Sequence, residues 1–124
     1  MEAITMACKR GSRPEPTTSP DDPEIVRLLQ DALTKRLQLM ATYVSDDGVT
    51  DHVFYPLALG TSDGGYRLWT YQFAGGSGVG WRCFVVAGLI KLTARPGAWL
   101  VPASNPGPGR CMDEVVQRVR ESIG

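Results

Sequence analysis

The sequence predicts one mainly-β domain: a small antiparallel barrel or strongly curved sheet of about five strands, flanked by an N-terminal and a C-terminal helix. Three observations carry this. Apolar runs of strand length recur between turn residues from Leu37 onward. An amphipathic helical pattern stands before those runs and a second one after them. The chain has 124 residues, of which 43% are hydrophobic, enough for one domain with a real core.

Residues 1–21 read as a flexible tail, because Pro14, Pro16, Pro20, Gly11, Ser12, Thr17, Thr18 and Ser19 leave little apolar surface to repay ordering. Lys9, Arg10 and Arg13 could form a basic arm, a weaker reading than a solvated tail. Residues 22–101 form the predicted helix-plus-barrel domain. Asp22 is placed to cap a helix, Pro23 suits its first position, and Glu24 complements the positive end of its dipole. Ile25, Leu28, Leu29, Ala32 and Leu33 then form an apolar stripe, and the helix should end near Lys35 or Arg36.

The first strand is expected from Leu37 to Val44, followed by a Ser45-Asp46-Asp47-Gly48 turn. Val49 to Leu59 reads as a second strand in which Pro56 demands a bulge or bend. Ser62-Asp63-Gly64-Gly65 is a second turn, and Tyr66 to Phe73 a third strand. A glycine-rich loop leads to a strand at Trp81–Val86. Ala87-Gly88 makes a bend, a fifth strand covers Leu89–Thr93, and Trp99-Leu100-Val101 is a candidate short sixth piece. Residues 102–124 comprise a Pro/Gly-rich connector and a final helix from Asp113 to Ile123. Its stripe is Met112, Val115, Val116, Val119 and Ile123. That helix should pack on the barrel or on a second subunit.

Composition excludes several function classes. Thirteen basic residues balance thirteen acidic ones, which argues against a generic polyanion binder. Cys8, Cys83 and Cys111 are odd in number and widely spaced, and His52 is the only histidine, so neither a disulfide framework nor a structural zinc site is expected. No stretch has the length and apolarity of a signal peptide or a membrane span, which makes a reducing cytoplasm the default location and a membrane role unexpected.

Nor does catalytic machinery emerge. The loop Gly75–Gly80 superficially resembles a phosphate cradle, but a strand follows it where a helix N-terminus is required, so it reads as a flexible hairpin. Asp51 falls on the opposite strand face from His52, and Cys83 reads as inert core rather than as a thiolate paired with His52. No enzyme, cofactor or metal is expected.

One constellation remains. On the third strand Arg67, Trp69, Tyr71 and Phe73 share one face, and Tyr66, Leu68, Thr70 and Gln72 the other. A cation among aromatic rings can hold phosphate and stack bases. Trp69 and Phe73 are nevertheless expected first of all to be core beneath the helix, since large aromatics usually supply burial.

From about Ile25 to Leu92 the spacing resembles a WYL domain. Ala32-Leu33, Leu39 and Tyr43 resemble that family's opening, with Gly48 in its first turn. Pro56-Leu57-Ala58-Leu59 resembles its Pro-Leu-x-Leu segment, and Tyr66-Arg67-Leu68 falls where Trp-Tyr-Leu would stand. Arg82-Cys83-Phe84 resembles the following Arg-x-Phe, and Leu89-Ile90 the closing apolar pair. The chain departs from the family at His52 and Gly88, where arginines are usual, and keeps only Leu68 of the three signature residues.

The resemblance implies an SH3/Sm-like barrel in a bacterial regulatory module of transcription that senses a nucleotide or short single-stranded nucleic acid. It implies a stand-alone sensor or decoy acting through a partner, since only one helix precedes the strands. The resulting ligand candidates are Tyr43, His52, Arg67, Trp69, Tyr71 and Arg82. A protein-interaction or assembly module, using the C-terminal helix for a partner or a homo-oligomer, is the alternative.

Overall fold

The computed structural model describes residues 22–76 and 78–120. The predicted tail lies outside them. Helix α1 (Pro23–Lys35) begins as its sequence requires: the Asp22 carboxylate accepts the Glu24 N–H at 2.9 Å. It ends at Arg36, whose left-handed backbone (φ 57°) turns the chain into the sheet. Leu29, Ala32 and Leu33 are its buried stripe.

Six strands follow: β1 (Gln38–Ser45), β2 (Gly48–Ser62), β3 (Gly65–Gly75), β4 (Gly80–Val85), β5 (Leu89–Arg95) and β6 (Glu114–Arg118). All pairings are antiparallel, in the order β4-β3-β2-β1-β5, and β6 also pairs with β2. β2 organises the sheet. One edge pairs with β3, while the other pairs first with β1 over residues 48–54 and then with β6 over residues 58–61. Register shifts at Val53/Phe54 and at Pro56/Ala58 bend it, the second at the proline where a bulge is required. Gly48 (φ 119°) closes the first hairpin, and Asp63 and Gly64, both with positive φ, close the second in the hand that suits strand twist.

The main core lies between α1 and the inner face of the sheet. Leu39, Phe54, Leu59, Leu68, Phe84, Val86 and Leu89 meet the helix stripe there. On the outer face, Cys111 and Met112 pack on Ala58, with Trp69 and Val115 at the margin. The segment between β5 and β6 crosses this face as a strap. Trp99 packs on the buried Tyr55 ring at 4.9 Å, and the Arg36 guanidinium lies over the indole at 5.0 Å.

Three expectations are corrected. The sheet does not close into a barrel. β4 and β5 end the hydrogen-bonded order without pairing, and a single 3-10 turn (Val86–Gly88) carries the chain between them. Near that opening the link is a side chain: the Val85 N–H donates to the Tyr43 hydroxyl at 3.1 Å. Residues 114–118 are strand, not helix, so no C-terminal helix is seen among the described residues. The β-branched Val115 and Val116 suit a strand as well as a helical stripe, and the edge of β2 supplied ladder partners that an isolated helix would lack. Ile123 lies outside the described residues, and Trp99–Val101 is irregular rather than a strand.

The cysteines supply the third correction. Cys83 and Cys111 form a disulfide across 28 residues, where the wide spacing predicted no bridge. Such bonds are more typical of extracytoplasmic proteins, which weighs against a reducing cytoplasm as the default. No helix among the described residues is long and apolar enough to cross a membrane.

Candidate functional site

The two strands carrying most of the candidates are in simple register. Arg67 opposes Val85, Trp69 opposes Cys83, and Tyr71 opposes Trp81; Leu68, Thr70 and Gln72 oppose Phe84, Arg82 and Gly80. Alternation therefore sorts the six candidates onto two faces. Tyr43, His52 and Arg82 fall with the inner group. Arg67, Trp69 and Tyr71 fall with the outer one. The sheet lies between them, so they do not line one site.

The inner group is a buried polar network around His52, which is 8% exposed. The fully buried Gln72 amide donates to the Gly75 carbonyl at 2.8 Å and the Gly78 carbonyl at 2.6 Å. Its oxygen must then be the acceptor facing His52 Nδ1, which fixes a proton on Nδ1. His52 Nε2 accepts from the Thr50 hydroxyl at 2.8 Å when the ring is neutral. The imidazole sits edge-on to Phe84 (5.0 Å) and Tyr43 (6.1 Å). Arg82 Nη2 donates to the Gly78 carbonyl at 3.1 Å and Nη1 to the Trp81 carbonyl at 2.8 Å.

These side chains hold the glycine loop rather than face outward. Gly75 and Gly76 adopt positive φ, and a Cβ on Gly76 would collide with the His52 ring. The loop's glycines are therefore a packing requirement at this point. Gly88 has a comparable reason: a Cβ there would approach the Tyr43 ring and the Val44 carbonyl to 2.7 Å. An arginine at that position would displace Tyr43.

The outer group is aromatic. The Trp69 and Trp81 rings are nearly parallel (7°) with centroids 6.1 Å apart, and Tyr71 meets Trp81 edge-on at 4.8 Å. All three are half-buried. Trp69 and Phe73 thus do not lie in the core beneath α1, as expected of them. Leu68, Thr70 and Gln72 take that face, because β3 pairs so that its large rings turn to the outer face. Phe73 stacks on Tyr55 at 4.6 Å. Trp69 donates its indole N–H to the Asn105 side chain of the strap at 3.0 Å. Arg67 lies at the end of this face and makes a loose 3.7 Å ion pair with the well-exposed Asp63.

Sequence reasoning missed Trp81, Gln72 and Thr50. Trp81 was legible in principle, since strand alternation places it on one face with Cys83. Gln72 was not, because a polar residue in a strand gives no sign of burial until its partners are known.

The two pairings a catalytic reading would need can be checked directly. Cys83 is disulfide-bonded and lies on the outer face, so it offers His52 no thiol. The Asp51 carboxylate accepts from Thr42 at 2.8 Å rather than orienting the imidazole. Among the described residues no three His, Cys, Asp or Glu side chains are grouped to hold a metal. No protein-family model matches the chain, and no curated protein is significantly similar to it.

Proposed function

We propose that the protein is a non-catalytic binding module whose ligand face is Arg67, Trp69, Tyr71 and Trp81. The ligand would be a nucleotide or a short single-stranded nucleic acid. The observation that carries this reading is the grouping of three half-buried aromatic rings on one sheet face with an arginine in line. Every base has a π-face, and stacking on such rings contributes about 1–3 kcal/mol per base. The Arg67 guanidinium, weakly held by an exposed carboxylate, is free to turn toward a phosphate. His52 and Arg82 then support the glycine loop on the other face, where Tyr43 packs against His52 and Gly88. The resemblance to WYL domains points the same way: binding would switch a partner rather than perform a reaction.

With zero net charge and one arginine on the face, affinity should depend weakly on salt, with a log-log slope of about one rather than several. The test is titration of tryptophan fluorescence with nucleotides and an oligodeoxythymidylate. Trp81→Ala should weaken binding by about 5- to 150-fold, matching the stacking energy. Unchanged affinity in both Trp81→Ala and Arg67→Ala would overturn the assignment.

A second reading, a protein-interaction module, has its own observation. Among the described residues the outer edge of β4 has no ladder partner, and Val79 and Val85 near it are exposed. Strand addition at that edge would suit a protein partner. Self-association through a C-terminal helix has no such helix to rest on among the described residues.

A further inference from the structure

The strap between β5 and β6 has firm ends and a lightly held middle. At its start the Gln38 amide donates to the Ala98 carbonyl at 3.0 Å, and Trp99 is packed between Tyr55 and Arg36. At its end Met112 is buried, the Asp113 N–H donates to the Thr61 carbonyl at 2.8 Å, and β6 joins the ladder. Between these anchors the strap has no regular structure apart from the short 3-10 turn Gly109–Cys111, and Leu100 is 70% exposed. Among the described residues two bonds tie that middle to the sheet, besides the packing of Cys111 on Ala58 at its end. One is the Trp69–Asn105 hydrogen bond, which is exposed. The other is the Cys83–Cys111 bond.

The placement of the bond matters more than its presence. Cys83 stands directly opposite Trp69 in the β3–β4 register. Both ties therefore converge on one edge of the aromatic face. The two sulfurs are also unequally accessible: residue Cys83 is exposed and Cys111 is 6% exposed. An external thiol meets the bond from the Cys83 side, leaving Cys111 as the leaving group.

We infer that the Cys83–Cys111 disulfide is a redox latch that clamps the strap over the Trp69 edge of the aromatic face. A dithiol reductant opens it in two exchanges. Its thiolate attacks Cys83 Sγ, the Sγ–Sγ bond breaks, and Cys111 departs as a thiolate that takes up a proton. The second thiol of the reductant then attacks the mixed disulfide and releases Cys83. The reductant leaves as its own disulfide, having passed two electrons and two protons to the protein. The strap middle, now held by one exposed hydrogen bond and the packing of the Cys111 end alone, leaves Trp69. The sheet persists, because its ladder and the α1 core do not involve the bond. That the uncovered surface binds a nucleobase rests on the function proposed above; the latch itself does not.

The test is hydrogen exchange on the full chain, in a Cys8→Ser background, with and without dithiothreitol, together with acrylamide quenching of tryptophan. Exchange across residues 100–111 should rise about tenfold or more on reduction while α1 and β1–β3 keep their protection. Cys83→Ala/Cys111→Ala should reproduce this without reductant. Unchanged exchange in the strap would overturn the latch. So would loss of protection throughout the sheet, which would make the bond a support of the whole fold. An oligodeoxythymidylate titration completes the test: tighter binding by the reduced protein supports gating. Equal binding in both states refutes gating while leaving the ligand face intact, and binding in neither state refutes the base-binding reading alone.

Discussion

Replacing Gln72 with leucine isolates the polar network beneath the glycine loop. Gln72 is fully buried, and its amide makes two donations to loop carbonyls while its oxygen accepts from His52. Gly75 is exposed and Gly78 half-exposed, so water can replace the two donations, and Arg82 still serves Gly78. Each of those bonds is worth about 1 kcal/mol net. The His52 Nδ1–H is different. At 8% exposure it has little access to water, and stranding a buried donor costs about 1–3 kcal/mol. Leucine recovers part of this through apolar burial, leaving an expected loss of about 2–4 kcal/mol for Gln72→Leu. Urea unfolding resolves such a change: with a slope of about 2 kcal/mol/M the midpoint falls by about 1–2 M. The decisive measurement is the double-mutant cycle. In a His52→Leu background no donor is orphaned, so Gln72→Leu should cost about 1–2 kcal/mol less than in the parent. An equal cost in both backgrounds would refute the inferred His52–Gln72 bond and the protonation it assigns.

Other perturbations probe the remaining elements. Leu68→Ala, at a fully buried position between α1 and β3, should cost about 2–5 kcal/mol by denaturant unfolding. Gly88→Ala should destabilise by about 1–3 kcal/mol, because the added methyl overpacks against Tyr43 and the Val44 carbonyl; Tyr43→Leu should relieve part of that cost. Asp22→Ala should lower stability by about 1 kcal/mol through loss of the helix cap. Arg67→Ala should leave stability within about 0.5 kcal/mol of the parent, since its partner Asp63 is 86% exposed, so any lost binding is not lost folding.

Local chemistry was legible in the sequence. The helix from Pro23 with its Asp22 cap, the turns at Gly48 and Gly64, the bulge at Pro56 and five strands in order all follow from constraints that act within a few residues: a fixed proline φ, a positive φ that glycine tolerates, a period of apolar side chains. Alternation also placed Arg67, Trp69 and Tyr71 on one face. The tertiary structure decided what depends on distant partners. It alone determined which face of β3 is buried, since alternation defines two faces without saying which meets α1. It turned the valines of 114–118 into a strand, because the vacant edge of β2 offered hydrogen bonds that periodicity cannot show. It joined Cys83 to Cys111, a pairing set by Cα atoms 5.5 Å apart in space and 28 residues apart in the chain. And it separated His52 and Arg82 from the aromatic face, because a sheet has two sides and a linear sequence does not mark which side each strand presents.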